Sequence, residues 1–127
     1  MTRIEVLTKL LAAIPDLELS VLVGSQAKGT ASEQSDWDIA IQWAMHISGW
    51  TILERTEILK QQIADVIDMH RDKVDLIDIA SARLAMRAVI AEEGIALKGA
   101  SSLAWRHHLT RTWAALEDCY WRRNNAA

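Results

Sequence analysis

The amino-acid sequence predicts an α/β fold in which a small mixed β-sheet is flanked by helices. Two short apolar runs, at residues 19–23 and 36–43, have the length and composition of strands. Longer segments around them repeat apolar residues every three or four positions, which is the helical period. At 127 residues we expect a single domain, with a core at about residues 2–98 and a C-terminal helix at about 101–123.

A first helix is predicted over residues 2–14. Thr2 with Glu5 three residues later forms a capping-box pattern. Pro15 then ends the helix, because proline has no backbone N–H and disfavours helical geometry in the residue before it. Four apolar residues share one face of this helix: Ile4, Leu7, Leu11 and Ile14.

The first strand, at 19–23, stops at Gly24 and Ser25. A loop of small residues follows, contains a second glycine at Gly29, and has room for a short helical turn after Ser25. The second strand, at 36–43, reads Asp-Trp-Asp-Ile-Ala-Ile-Gln-Trp. Glycine at position 24 would let the backbone approach a ligand closely.

In the middle of the chain, the spacing of apolar residues predicts a helix over residues 48–70 and a third strand over 73–80. The helix carries an apolar series at helical spacing: Ile52, Leu59, Ile63, Val66 and Ile67. Ser81 is predicted as the N-cap of a further helix that ends at about Glu93, with Gly94 as its C-cap.

The C-terminal part predicts a short edge strand at residues 95–97 and a final helix that reaches about Arg122, capped by Ser101 or Ser102. Its apolar residues follow one another at helical spacing: Trp105, Leu109, Trp113, Leu116 and Tyr120. We expect this face to pack into the core or against a partner protein. Tyr120 and Trp121 are candidates for a partner contact, with simple packing as the alternative.

Composition restricts the classes of function. A net charge of −3 gives no general attraction to nucleic-acid backbone, so no direct nucleic-acid binding is expected. The single cysteine, Cys119, has no internal disulfide partner and is expected to be a small buried or half-buried filler. No signal-peptide pattern or transmembrane stretch is evident, so we expect no membrane association and a cytoplasmic location.

The second predicted strand brings two carboxylates together. Because side chains alternate along a strand, Asp36 and Asp38 share a face, while Trp37 points the other way into the core. Oxygen ligands of this kind suit Mg²⁺, which is usually held by one or two carboxylates together with substrate phosphates. The alternative is a solvated strand edge. The nearby Gly24-Ser25 pair favours the metal site.

Gly24-Ser25, ten intervening residues and then Asp36-x-Asp38 lie between two predicted strands. This arrangement resembles the signature of the DNA-polymerase-β-type nucleotidyltransferase superfamily. The fuller string GSQAKGTASEQSDWDIAI is most similar to the minimal nucleotidyltransferases (MNT proteins), many of which are antitoxins paired with HEPN-domain toxins. The resemblance implies a minimal polymerase-β-like fold with a C-terminal helix, ATP as substrate and two Mg²⁺ ions.

The resemblance also implies roles for particular residues. Asp36, Asp38 and a third acid would be the catalytic metal ligands, and the third acid would also help to deprotonate the attacking hydroxyl. Asp75 is favoured for that position because it stands in a similar Val-Asp-Leu context, with Asp78 as the alternative. Gly24, Ser25 and Lys28 would bind the nucleotide phosphates, although many relatives have arginine in place of this lysine.

The function implied is that of an antitoxin that transfers AMP from ATP to a hydroxyl, a tyrosine hydroxyl for preference, of a cognate HEPN-type RNase toxin, with release of pyrophosphate. A hetero-oligomer of the two proteins is expected. One alternative is an antitoxin that neutralises the toxin by binding alone. Another is a nucleotidyltransferase that modifies a small molecule.

The four histidines show no metal-ligand spacing with cysteines or acids. His107 and His108 are adjacent on the final helix, so they do not share a face. Surface positions are therefore expected for both.

Overall fold

The computed structural model describes residues 1–125, which contain five α-helices, two 3-10 turns and four strands. In chain order the helices and strands are α1 Arg3–Ala13, β1 Leu17–Val23, α2 Gly24–Lys28, β2 Trp37–Trp43, α3 Trp50–Ile67, β3 Val74–Asp78, α4 Leu84–Glu93, β4 Ile95–Lys98 and α5 Leu103–Asn125. The 3-10 turns, Arg71–Lys73 and Ile79–Ser81, flank β3. The predicted small mixed sheet with flanking helices is confirmed.

The strands form one sheet in the order β3-β2-β1-β4. β1 pairs antiparallel with both β2 and β4, whereas β2 and β3 run parallel. The end of β1, the start of β2 and the start of β3 therefore meet at one end of the sheet. There Asp38 of β2 is opposite Val23 on one side and Asp75 on the other.

Both faces of the sheet are covered by apolar side chains. On one face, residues of β2 pack with α1 and α3, and this cluster includes Leu7, Leu11, Trp37, Ile39, Ile41, Trp43, Leu59 and Ile63. On the other face, Val21, Val23 and Ala40 pack with Ile79, Ile90 and the half-buried Trp105. Burial of each large side chain contributes about 1.5–3 kcal/mol, so the two layers hold the strand ends in place. The predicted core position of Trp37 is confirmed.

Side-chain caps fix two of the helices. Thr2 Oγ1 accepts a hydrogen bond of 3.1 Å from the Glu5 N–H at the start of α1, as the capping pattern predicts. Ser102 rather than Ser101 caps α5, because its Oγ accepts from the Trp105 N–H at 3.1 Å. Gly94 follows α4 with an extended backbone, and a Cβ there would collide with the Ile90 carbonyl and the Val21 side chain.

The prediction that Ser81 caps α4 is wrong. Strand β3 ends at Asp78, whose side chain accepts hydrogen bonds from the Ala80 N–H and the Ser81 hydroxyl and so closes a 3-10 turn. α4 then begins at Leu84 after Arg83, which makes no side-chain cap. Helix α3 spans Trp50–Ile67 and is therefore shorter than the predicted range of 48–70.

Helix α5 is rotated by about one residue from the orientation that its apolar pattern predicts. Its fully buried residues are His108 and Thr112, which lie on the side toward α4, where Arg87 Nε is 3.5 Å from Thr112 Oγ1. Trp113 and Tyr120, both on the predicted apolar face, are 41% and 72% exposed. Within residues 1–125, none of the helices combines the length and hydropathy needed to cross a membrane.

Two expectations about single residues on α5 are wrong for the same reason. His108 is 2% exposed rather than at the surface, and both its ring nitrogens lack a hydrogen-bond partner. Cys119 is exposed rather than a core filler. His108 lies in the part of α5 that is covered, whereas residues 117–125 at the end of α5 are all exposed.

Candidate active site

Gly24 and Asp38 are in direct proximity where β1 ends and β2 begins. Gly24 has a φ of +72°, a conformation that residues with a Cβ rarely adopt. A Cβ at this position would lie 2.6 Å from the Asp38 Oδ2 atom, which is closer than non-bonded atoms approach. Glycine at this position therefore allows both the turn and the approach of the carboxylate to the backbone.

The predicted helical turn after Gly24 is present as α2, which places Ser25 in its first turn beside the end of β1. Gly29 ends α2 in a left-handed conformation, with φ +76°, and its N–H donates to the Ser25 carbonyl. Ser25 is half-buried, and its backbone is held by a second hydrogen bond from the Thr30 N–H at 3.1 Å. The predicted phosphate-binding pair thus stands directly next to Asp38.

Three carboxylates lie at the same end of the sheet, close enough for their charges to affect one another. Asp38 and Asp75 are register partners on the parallel strands, and Asp36 immediately precedes β2. The pKa of the Asp38 carboxyl is raised above its ordinary value by burial first, and then by the negative charges of Asp75 and Asp36. These carboxylates therefore repel one another, which is an arrangement that a bound cation would relieve.

Asp75, not Asp78, joins this group. The two acids are three residues apart on β3, so they point to opposite faces of the sheet. Asp78 lies at the far end of the strand and is engaged by the Ala80 N–H and the Ser81 hydroxyl, at 3.2 and 2.8 Å. Asp75 is the register partner of Asp38, whereas Asp78 is opposite Ile41, so the position of Asp75 favours it as the third acid.

The donor set suits a hard divalent cation, since carboxylate oxygens are the ligands that Mg²⁺ prefers. Among residues 1–125, however, no three histidine, cysteine or acidic side chains stand close enough together to form a ready-made metal cluster. Asp36 and Asp75 are both exposed at this end of the sheet.

Two lysines lie on the elements that flank this motif: Lys28 ends α2, and Lys73 directly precedes β3. Lys28, the predicted phosphate contact, has its ammonium 3.4 Å from Glu93 Oε2 of α4. Lys73 Nζ lies 3.9 Å from Asp36 Oδ1 and donates to the Gln34 carbonyl oxygen at 3.0 Å. Lys73 was not identified from the sequence, although its position two residues before Asp75 is a signal that could have found it.

The chain belongs to the polymerase beta nucleotidyltransferase family, whose model matches residues 5–102. This shows the predicted resemblance to be a family relationship. The match ends just before α5, so the four-stranded sheet and helices α1–α4 account for almost all of it.

The chain is similar to the protein adenylyltransferase MntA of Aphanizomenon flos-aquae (strain 2012/KM1/D3). The two are 24% identical over 95 residues, which span 71% of this chain and 62% of that relative. The match thus covers less than two thirds of the relative's length.

Solved structures of toxin–antitoxin complexes are similar over nearly the whole chain. A chain of a toxin–antitoxin structure with AMP-PNP has a TM-score of 0.71 and 28% identity, and the match covers 95% of this chain and 92% of that one. A chain from the complex of a tri-AMPylated Shewanella oneidensis HEPN toxin with an MNT antitoxin has a TM-score of 0.65 and 25% identity, with 96% and 90% covered.

Proposed function

We propose that this protein is a Mg²⁺-dependent protein adenylyltransferase that acts as an antitoxin. It would transfer AMP from ATP to a hydroxyl, preferably of tyrosine, on a cognate HEPN-type RNase toxin. The observation that carries the proposal is the Asp38 carboxylate held against Gly24 with Asp75 beside it, in a chain of the nucleotidyltransferase family. Similarity to MntA and to chains of toxin–antitoxin complexes supports the choice of substrate.

The residues at the end of β1 would bind the phosphates of the nucleotide. The bare backbone at Gly24 lets a phosphate approach closely, and the Ser25 hydroxyl would donate a hydrogen bond to a phosphate oxygen. Lys28 would add a cationic contact when it leaves Glu93, because that ion pair is half-exposed and therefore weak. Because Asp38 lies against Gly24, phosphate binding there would bring the nucleotide close to Asp38.

The transfer step forms a bond between the acceptor oxygen and the α-phosphorus and breaks the bond to pyrophosphate, which leaves. Asp75 would accept the proton of the attacking hydroxyl. Two Mg²⁺ ions held by Asp36, Asp38 and Asp75 would neutralise the charge on the attacking and leaving oxygens. Burial and the two neighbouring carboxylates raise the pKa of Asp38, so a bound cation would stabilise its charged form.

The toxin would dock on the exposed side of α5. A shallow groove of about 680 Å³ is lined there by apolar and charged side chains: Glu92, Trp113, Leu116, Glu117, Cys119, Tyr120, Trp121 and Arg123. Large aromatic residues at the surface are typical of protein–protein contacts. Docking of the toxin itself would orient the attacking hydroxyl.

The same groove supports a second candidate function, neutralisation of the toxin by binding alone. Binding through α5 needs none of the three carboxylates, so the nucleotide site would then be vestigial or regulatory. The observation against it is that Gly24, Ser25, Asp36, Asp38 and Asp75 are all present.

A label-transfer assay distinguishes the two functions. The purified protein is mixed with Mg²⁺, ATP labelled at the α-phosphate and the product of the neighbouring gene. Label on that product with the wild type, but not with the Asp36→Asn, Asp38→Asn double variant, supports protein adenylylation. Tight binding without any label, with every nucleotide tried, would refute the catalytic function and favour the binding-only antitoxin.

A further inference from the structure

Lys73 connects two segments that are far apart in the sequence. It is the last residue of the 3-10 turn before β3, and its Nζ reaches the loop that precedes β2. There it donates a hydrogen bond of 3.0 Å to the carbonyl oxygen of Gln34, 39 residues away, and lies 3.9 Å from Asp36 Oδ1. The shorter contact is to the backbone of the loop rather than to the carboxylate.

The loop that carries Asp36 is otherwise held by local bonds. The Ser32 N–H donates to Ser35 Oγ at 2.9 Å, and the Gln34 N–H donates to Ser32 Oγ at 3.3 Å. Both bonds stay within the loop, so they shape it but do not fix it to the sheet. The hydrogen bond from Lys73 does connect the loop to the sheet, since Lys73 directly precedes β3, the strand that carries Asp75.

The charge of Lys73, like its hydrogen bond, favours the observed position of the segment that carries Asp36. Asp36 shares the end of the sheet with Asp38 and Asp75, and repulsion from those carboxylates tends to push an exposed Asp36 side chain outward. The ammonium beside it offsets part of that repulsion. The ion pair alone is weak, because the two side chains are 37% and 59% exposed, so the tether to the loop backbone is the larger contribution.

We propose that Lys73 is a positioning residue that tethers the segment from Gln34 to Asp36 to β3 and thereby holds the Asp36 carboxylate at the metal site. This inference rests on the nucleotidyltransferase function proposed above. It assigns Lys73 no contact with the reacting atoms: its effect passes through Asp36.

The test compares three variants of the full chain. Lys73→Met removes the donor and the charge, Lys73→Arg keeps both, and Lys9→Met removes an exposed lysine of α1 as the control for net charge. Amide hydrogen exchange is measured over residues 30–36 in the metal-free proteins. Mn²⁺, as a probe for Mg²⁺, is titrated by calorimetry without nucleotide.

In Lys73→Met we expect faster exchange over residues 30–36 and Mn²⁺ binding weaker by roughly 3- to 10-fold, the effect of losing one charge-assisted hydrogen bond. Lys73→Arg and Lys9→Met should stay within about twofold of the wild type. In the transfer assay, Lys73→Met should raise KM for the metal–nucleotide complex more than it lowers kcat.

Unchanged exchange in Lys73→Met overturns the tether, and unchanged Mn²⁺ affinity overturns its role at the metal site. A wild-type protein that binds no Mn²⁺ refutes the proposed function and this role together. Normal Mn²⁺ binding by both wild type and Lys73→Met refutes the role of Lys73 alone.

Discussion

The Asp38 carboxylate occupies the space that a side chain at residue 24 would need. A Cβ at Gly24 would lie 2.6 Å from Asp38 Oδ2, whereas a Cβ at Gly29 would meet nothing within 4 Å. Both glycines have a positive φ, of +72° and +76°, so alanine causes similar backbone strain at either position. Comparing alanine variants at Gly24 and Gly29 therefore separates the effect of backbone strain, which both share, from the effect of the steric contact with Asp38, which only Gly24 has.

Gly24→Ala should lose adenylyl transfer by about 100-fold or more, because displacement of a catalytic group by about 1 Å is enough for such a loss. Gly29→Ala should lose about 1–2 kcal/mol of stability through its left-handed backbone and keep most of its activity. Thermal unfolding and label transfer measure the two effects. Equal activity in the two variants would show that the space between residue 24 and Asp38 is unimportant.

Asp75 and Asp78 should differ sharply in function. Asp75→Asn removes an acid that faces Asp38 and should lower kcat by about 100-fold or more. Asp78→Asn alters a side chain that closes the turn after β3, so it should cost about 0.5–1.5 kcal/mol of stability and leave transfer within about threefold. Steady-state transfer rates of both variants decide the matter. A larger loss in Asp78→Asn contradicts the assignment of the third acid.

His108 should make the stability of the fold depend on pH. Burial lowers the pKa of this histidine, and the charges of Arg111 on the same helix and Arg87 on α4 lower it further. The folded protein therefore resists protonation that the unfolded chain accepts near pH 6.5. The stability due to neutral His108 is complete above that pH and is lost as the pH falls through the lowered pKa of the folded state.

His108→Leu should consequently lose less stability than the wild type when the pH is lowered from 8 to 5, by up to about 1.4 kcal/mol per pH unit. Urea unfolding across this range measures the difference. His107→Leu, which removes the exposed neighbouring histidine, is the matched control. Parallel pH profiles of wild type and His108→Leu would contradict this prediction.

Trp121 should contribute to toxin binding and not to the fold. It is 64% exposed, so Trp121→Ala should leave thermal stability unchanged. Loss of a central aromatic contact typically costs about 2 kcal/mol, which predicts roughly 30-fold weaker binding of the neighbouring gene product. Calorimetry with Trp50→Ala as the control for an exposed tryptophan on α3 tests this. If Trp121→Ala binds the neighbouring gene product with wild-type affinity, the partner does not dock on this groove of α5.

Much of the site was predictable because its residues are near one another in the chain. The alternation of side chains along β2 predicted Asp36 and Asp38 on one face and Trp37 in the core, and the core position of Trp37 is confirmed. The turn from Gly24 into α2 follows equally from a strand that meets a glycine. In both cases the geometry depends on local backbone periodicity, which a single sequence contains.

The residues that were missed or mistaken depend on contacts between distant segments. An amphipathic pattern on α5 does not say which side a neighbour will cover, so His108, expected at the surface, proved buried. Trp113 is exposed, which leaves open the partner contact that was one of its two predicted roles. Asp78 was a candidate until the parallel pairing of β2 with β3 placed Asp75 opposite Asp38. The proposed role of Lys73 became visible only from its hydrogen bond to the Gln34 carbonyl, which is distant in the sequence.

The sequence by itself determined the order of strands and helices, the family signature from Gly24 to Asp38 and the chemistry that these residue types allow. Only the tertiary structure showed which acid of β3 lies opposite Asp38, which lysine contacts Asp36 and which face of α5 remains uncovered. The physical reason is that backbone preferences act over a few residues. Strand register and helix packing, by contrast, result from the burial of the whole chain's apolar surface at once.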